Sequence, residues 1–415
     1  MEAHLFGRLT PALEARRLLL REVRPIERVE EVPVTEAFGR IAARPLRARH
    51  DVPAFPRATW DGYALRSRDV RGARPDRPVE LVVVGEVFAE TTYPGTVLPG
   101  TAVAVATGAS LPRGADAVEI FEEVERRRSS VVLHAPVRSG ARIAPAGSDL
   151  KRGAVLARAG ERLGPASLGA IAASGLGTVA VYARPIVSIV PNGNELRRPG
   201  ERAGPGQIFE SNNASLAAVL HATGCEPRAL PPVRDDASAI ESALRRALRD
   251  SDLVIATGGS SVGERDHLPR LFPRIGRLLF HGVAVRPGKP TLAARCGDRL
   301  LVGLPGHPTS CLLNMHWLML PVLRRLARQP GPGWTVEALP LRGAAAAPTP
   351  GLATVVPLRV RDRGAYPTFR GSSAIRSLQG ANGFAILPPG TAEVRSGRRV
   401  RVHRLDPPLG EAGRG

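Results

Sequence analysis

The chain has 415 residues, too many for a single hydrophobic core, so its length calls for about two to four domains. Apolar content of 43% is that of an ordinary folded protein, and no uncharged apolar run reaches membrane-spanning length, which argues against a membrane protein. The net charge of +20 suggests a phosphate-bearing partner, but the Arg residues are scattered and lack interleaved aromatics, so no nucleic-acid surface is expected.

Thr10-Pro11 reads as an N-cap followed by Pro at the first helical position, and Ala12, Ala15, Leu19 and Val23 then recur at helical spacing. VTEAFGRIAA (34–43) reads as a second short helix. From 79 to 160 the texture is that of a small all-β unit, with VELVVVGEVFA, TAVAVATG, DAVEIFEEVE and SVVLHAPV separated by Gly and Pro turns. PASLGAIAASG (165–175) returns to helix.

From Arg184 onward strands and helices alternate. IVSIV (186–190) is a buried strand, SLAAVLHATG (215–224) a helix, RALPPV lies near a strand, ASAIESALRRAL (237–248) is a helix and DLVIATGG (252–259) a strand. LLVGLPG (300–306) and PTSCLLNMHWLMLPVLRRLA (308–327) add a further strand and helix. This alternation predicts a parallel sheet with helices on both faces. PGPG after Gln329 marks a linker, and residues 335–405 again read as short strands with an Ala/Pro-rich turn at 343–350.

The cysteines Cys225, Cys296 and Cys311 form no CxxC pair or disulfide framework, and the nine histidines show no metal-binding spacing. A reducing compartment follows. MEAHLFGRL lacks a signal pattern, and the expected location is cytoplasmic.

In an open parallel sheet, ligands bind where strands give way to loops. Three Gly-containing loops follow predicted strands: PNGNEL (191–196), TGGSSVGERD (257–266) and GLPGHPTS (303–310). The second offers Gly258, Gly259, Gly263 and the hydroxyl of Ser261 as an anion nest, closed by Asp266; without GK[ST] it is no Walker motif, and a generic strand-to-helix turn explains it equally. Glu195, Asp235 and Asp266 each follow a strand of the same sheet. Such carboxylates suit Mg²⁺ beside a phosphate, while capping is the competing reading for Asp235-Asp236.

Among 58 basic residues only Lys151 and Lys289 are lysine. Lys289 stands in RPGKP (286–290), where Pro287-Gly288 can aim it and Arg286 together. A compact ammonium suits a small oxyanion where a planar guanidinium does not; the alternative is a lysine left by chance.

Seven ordered stretches resemble one family. They are VPVTEAFGRIAARPLRARHDVPAFPRATWDGYALR, VATGASLPRGADAVEIFEEV, RPIVSIVPNGNEL, GQIFESNNASLAAVLHATGCE, SDLVIATGGSSVGERD, RPGKPTLAARCGDRLLVGLPGHPTS and GSSAIRSLQGANGFAILPPG. The family is the molybdopterin molybdenumtransferases, the MoeA and gephyrin E-domain group, and the resemblance spans roughly residues 10–405. It implies a multidomain α/β plus β fold. The parts are an elongated N-terminal domain (1–54 and 141–183), an inserted β domain (55–140), a three-layer α/β/α molybdopterin-binding domain (184–329) and a C-terminal β-barrel (330–408).

The implied activity is Mg²⁺-dependent insertion of molybdate into adenylylated molybdopterin with release of AMP, by a homodimer to which other cofactor-biosynthesis proteins are possible partners. By position, the resemblance assigns catalytic roles to Asp61, Thr107, Glu195, Asp235 and Asp266. The last three serve as metal ligands. Substrate binding falls to Gly258, Gly259, Ser261, Gly263, Arg286, Lys289, Pro305, Gly306 and Ser372. Four positions depart from the family pattern: Trp60 replaces a Met, Asn194 an Asp, Gly282 a Lys and His307 an Asn. These departures keep open an alternative, a weak or inactive homologue serving as a pterin-binding or scaffold module, and a possible preference for tungstate.

Overall fold

The computed structural model describes residues 8–261, 266–346, 349–391 and 393–405. The chain divides into two compact units, one made of residues 1–30 and 182–415, the other of residues 31–181. The first unit opens with helix α1 (Ala12–Glu22), which buries Ala12, Ala15 and Leu19. The sequence places Pro11 inside this helix. Instead Thr10 and Pro11 pair as a short parallel strand with Val283 and Ala284, and the helix begins one residue later.

The unit of residues 31–181 holds a six-stranded sheet of β1 (Gly62–Leu65), β2 (Val79–Val87), β3 (Thr101–Val105), β4 (Ala117–Ile120), β5 (Val124–Arg126) and β6 (Ser130–Leu133). Its order is β4-β1-β3-β2-β6-β5. Helix α2 (Pro165–Ala173) lies downstream and buries Ile171. The predicted helix at 34–43 does not form: only Val34–Glu36 turn, as one 3-10 turn. Gly39 follows at φ +73°, a conformation that ends a right-handed helix, and Ile41 and Ala42 make isolated bridges to Arg162 and Val181. Burial of Val34, Ala37, Ile41 and Ala42 mimics a helical stripe without helical backbone.

The larger unit resumes with the alternation expected from the sequence: β7 (Ile186–Pro191), α3 (Asn212–Ala222), β8 (Glu226–Ala229), α4 (Ala237–Asp250), β9 (Leu253–Thr257) and α5 (Leu268–Ile275). There follow β10 (Arg277–His281), β11 (Val283–Arg286), β12 (Leu292–Cys296) and β13 (Arg299–Leu304). The sheet order is β8-β7-β9-β13-β12-β10. Four strands are parallel, as the alternation requires, but β12 pairs antiparallel with both β13 and β10. Gly297 (φ +60°) and Asp298 make the tight turn that reverses the chain between β12 and β13, a hairpin signal the strand-helix reading passed over. The long apolar helix expected at 308–327 is three pieces: α6 (Pro308–Asn314), a π turn at Met315–Met319 and α7 (Leu320–Leu326), all packed into the core.

Strands β14 (Trp334–Pro340), β15 (Ala353–Arg361), β16 (Gly364–Pro367), β17 (Gly383–Leu387) and β18 (Arg399–Leu405) form a second sheet. It also takes in β11, whose Val285 and Arg286 pair parallel with Ala353 and Thr354. Among the described residues no helix is long and apolar enough to cross a membrane, and the three cysteines are free thiols.

Candidate active site

Parallel strands β7, β9 and β13 end side by side, so the loops leaving them crowd one edge of the sheet. Buried Asn192, the first residue after β7, knits that edge together. Its backbone N–H donates to the Thr257 carbonyl at 3.0 Å. With its side-chain nitrogen turned inward, the amide donates to the carbonyls of Thr257 at 2.9 Å and Gly258 at 3.1 Å. Gly258 has φ +85°, and a Cβ there would fall 2.6 Å from the Asn192 carbonyl. Only glycine serves at that point. The sequence motif singles out the glycine but not the asparagine it presses against.

These loops surround a cavity of about 710 Å³. Glu195, Asp235, Asp266, Gly258, Gly259, Ser261, Pro305 and Gly306 all line it, so eight positions named from sequence meet here. Asp235 and Asp236 divide the two readings between them. Asp236 caps α4, accepting from the Ala239 N–H at 2.8 Å and the Ser238 hydroxyl at 2.6 Å, and these bonds hold its carboxyl below the usual range. Asp235 is left to the cavity. Its backbone N–H donates to Asn194 Oδ1 at 3.1 Å, and its carboxylate lies 3.9 Å from His267 Nε2. Asparagine at 194 therefore still supplies the acceptor oxygen that an aspartate would.

A second cavity of about 730 Å³ adjoins the first, since Ser261, Pro290, Pro305 and His307 line both. Arg286, Lys289 and Ser372 line the second cavity only. Arg286 donates to Thr349 Oγ1 at 2.7 Å. The turn carrying Lys289 is seated on a buried polar cluster. Asn314 donates from its amide to Thr291 Oγ1 at 2.8 Å and to the Gly288 carbonyl at 3.3 Å. Its Oδ1 accepts the Trp317 indole N–H at 2.6 Å. A Cβ on Gly288 would fall 2.1 Å from the Asn314 amide nitrogen, so turn and amide are in direct contact. Gly282, where the family pattern has Lys, has φ +85°, which L side chains rarely adopt.

Asp61 and Thr107 lie in the other unit and are joined to each other there. The Thr107 backbone N–H and hydroxyl both donate to Asp61 Oδ1, at 2.6 and 2.9 Å, and these bonds hold the exposed carboxyl below its ordinary range. Gly263 lies outside the described residues.

The three carboxylates assigned to a metal share the first cavity, yet no three His, Cys, Asp or Glu side chains among the described residues stand close enough to enclose an ion. That arrangement still fits Mg²⁺. The ion is commonly held by one or two carboxylates, several waters and substrate phosphate oxygens rather than by a complete protein cage.

Models of the MoeA N-terminal region (domain I and II), a probable molybdopterin binding domain and the MoeA C-terminal region (domain IV) match residues 10–175, 188–325 and 343–405. A molybdopterin molybdenumtransferase of Bacillus subtilis is 33% identical over 382 residues, covering 90% of this chain and 89% of that protein. The chain belongs to the molybdopterin molybdenumtransferase family. Another member, from Synechococcus elongatus, is 34% identical over 400 residues, covering 94% and 98% of the two chains. A molybdopterin biosynthesis protein from Pyrococcus horikoshii shares the fold with a TM-score of 0.82 at 32% identity, over 96% of this chain and 99% of that one. Family membership, expected from seven sequence stretches, is thereby borne out. Within this molybdenumtransferase fold the sequence reading missed Asn192, Glu210, Asn212, His267 and Asn314. Glu210 was the most accessible of them, as an acid standing just before a helix in a stretch already noted for its family resemblance.

Proposed function

We infer that this chain is a molybdopterin molybdenumtransferase, an enzyme of molybdenum cofactor biosynthesis. The observation that carries the reading is the pair of adjoining cavities. One is lined by Glu195, Asp235 and Asp266 and the other by Arg286 and Lys289, on a chain related to such enzymes over nine-tenths of its length.

In this proposal the first cavity takes adenylylated molybdopterin and the second takes molybdate. Backbone N–H groups around Gly258 and Gly259 face the anionic substrate, and Lys289 and Arg286 hold the oxyanion by charge-assisted hydrogen bonds. Mg²⁺, held by one or two of the three carboxylates, would neutralise phosphate charge as the adenylate is cleaved. Asp235 keeps its place through Asn194 and His267, and Asp266 closes the loop after β9. Fixed charges of this kind act mainly by electrostatic preorganisation. Release of AMP, Asp61 and Thr107 as further catalytic groups, Ser372 as a molybdate contact and a homodimer belong to the same proposal and rest on the family resemblance, and a cytoplasmic location belongs to it on the cysteine usage and the leading sequence. So does the four-part division at 1–54 with 141–183, 55–140, 184–329 and 330–408, which the three matched segments support.

The test is AMP release from adenylylated molybdopterin with Mg²⁺, with and without molybdate. Molybdate-dependent release is expected. No release from folded protein would leave a pterin-binding or scaffold module on this fold.

A further inference from the structure

The bend that carries Asp61 is held from both sides by one arginine in a strained conformation. Arg142 has φ +54°, a left-handed backbone that Gly and Asn adopt far more readily. A residue of this kind stays there only when its surroundings fix it. The groups that fix it lie in the unit of residues 31–181. The Arg142 carbonyl accepts from the Thr59 N–H at 3.0 Å, two residues before Asp61. Its guanidinium pairs at 3.0 Å with Glu119, whose side chain is 12% exposed and whose Oε1 also accepts the Ile120 N–H at 3.0 Å. The Val118 N–H donates to the Ala141 carbonyl at 3.0 Å, so residues 141 and 142 are tied to β4 by backbone and side chain together. Strand β4 in turn pairs with β1, which leaves the bend. Gly62 lies opposite Ile120, and a Cβ on Gly62 would fall 2.0 Å from the Glu119 carbonyl oxygen.

The segment entering the bend is caught between the same group of residues and the Thr107 loop. Arg57 and Ala58 pair on one side with Ala144 and Ile143, the residues that follow Arg142. On the other side Ala58 donates its N–H to the Ala109 carbonyl at 3.0 Å and accepts the Gly108 N–H at 2.9 Å. A shift of residues 57–61 would therefore draw Asp61 Oδ1 away from the two Thr107 donors, which stand at 2.6 and 2.9 Å. We propose that Arg142, through its ion pair with Glu119, is a positioning residue that sets the bend at 59–61 and so holds Asp61 on Thr107. This deepens the function proposed above and rests on Asp61 serving in that reaction. A small displacement of a reacting group, caused by a residue that touches no substrate, is enough to lower a rate by ~100-fold.

The test is carbon-13 NMR of the full-length protein labelled at its aspartate carboxyl carbons, with Asp61→Asn identifying the Asp61 resonance. In the wild type the Thr107 bonds hold this carboxyl below its ordinary range, and losing them lets it rise. Arg142→Ala and Glu119→Ala should both raise its titration midpoint. The two variants separate position from field: removing a positive charge raises a nearby carboxyl, whereas removing a negative one lowers it. Arg142→Lys, which keeps the charge and a donor for Glu119, should restore most of the wild-type midpoint. The Asp252 carboxyl, in the other unit, should titrate alike in wild type and variants. AMP release at saturating substrate should fall about 10-fold in the two Ala variants, with the Michaelis constant for the pterin substrate little changed. Should Glu119→Ala fail to fold, Glu119→Gln carries the same prediction. A midpoint that stays in place in folded Arg142→Ala, or that falls in the Glu119 variant, overturns the proposal. A protein inactive in the AMP assay whose Asp61 midpoint moves as expected loses only the proposed reaction. An active protein whose midpoint does not move loses this inference alone.

Discussion

Replacing Asn314 by Ala should loosen the turn that carries Lys289 without touching substrate. The side chain is fully buried and joins three groups: it donates to Thr291 Oγ1 and the Gly288 carbonyl, and accepts from the Trp317 indole. Thr291 keeps its own 2.7 Å bond to the Gly288 carbonyl in the variant. The Trp317 N–H, on a residue with no exposure, loses its acceptor. One orphaned buried donor costs about 1–3 kcal/mol, and the vacated volume adds about 1 kcal/mol, so a loss of about 2–4 kcal/mol is expected. Urea denaturation of the wild type, Asn314→Ala, Thr291→Val and the double variant forms a cycle whose coupling energy should be about 1 kcal/mol. The Michaelis constant for molybdate should rise more than that for the pterin substrate, since the turn lines the second cavity. A stability loss under about 0.5 kcal/mol together with an unchanged molybdate constant would refute the idea that this cluster supports the turn.

Lys289→Arg tests why a lysine survives among so many arginines. Turnover should fall about 10-fold or more if a compact charge is required, and unchanged rates would mark the residue as one left by chance. Asp235→Asn should abolish AMP release while the Asp236 cap and the melting temperature persist; retained release would remove Asp235 from the machinery. Burial lowers the His316 imidazole from its ordinary value to about 4. The unfolded chain therefore binds a proton below about pH 6.5 that the native state refuses, and stability should fall by about 3 kcal/mol between pH 6.5 and 4. His316→Gln should flatten that part of the profile, and equal profiles for variant and wild type would contradict the assignment.

The strand-helix alternation after Arg184 was legible because it rests on burial periodicity, which the chain obeys from β7 to β9. The helix expected at 34–43 was not, because Val34, Ala37 and Ile41 are buried at helical spacing by a backbone that makes one 3-10 turn at Val34–Glu36, leaves right-handed helix at Gly39 and then bridges to other segments. The hairpin of β12 and β13 escaped because β12 is a short run, LAARC, interrupted by Arg295, and only Gly297-Asp298 marks the reversal. At the site, charged loop residues announced themselves by type: Glu195, Asp235 and Asp266 share a cavity as expected. Neutral amides gave no such signal. Asn192 and Asn212 act through partners far away in the chain, as Asn314 does toward Gly288 and Thr291, and nothing in an asparagine's immediate neighbours says whether it will be exposed or hold a turn in place.

Strand β11 makes the larger unit's assembly depend on order of synthesis. Thr10 and Pro11 pair with Val283 and Ala284, while Val285 and Arg286 pair with Ala353 and Thr354. On a ribosome the first of these segments emerges roughly 270 residues before its partner, and that partner then waits for a third segment. The intervening unit of residues 31–181 has its own sheet and core and can fold during the delay. A nascent chain stalled before residue 283 would thus carry one finished module beside an unpaired leading segment, a natural substrate for a holdase chaperone.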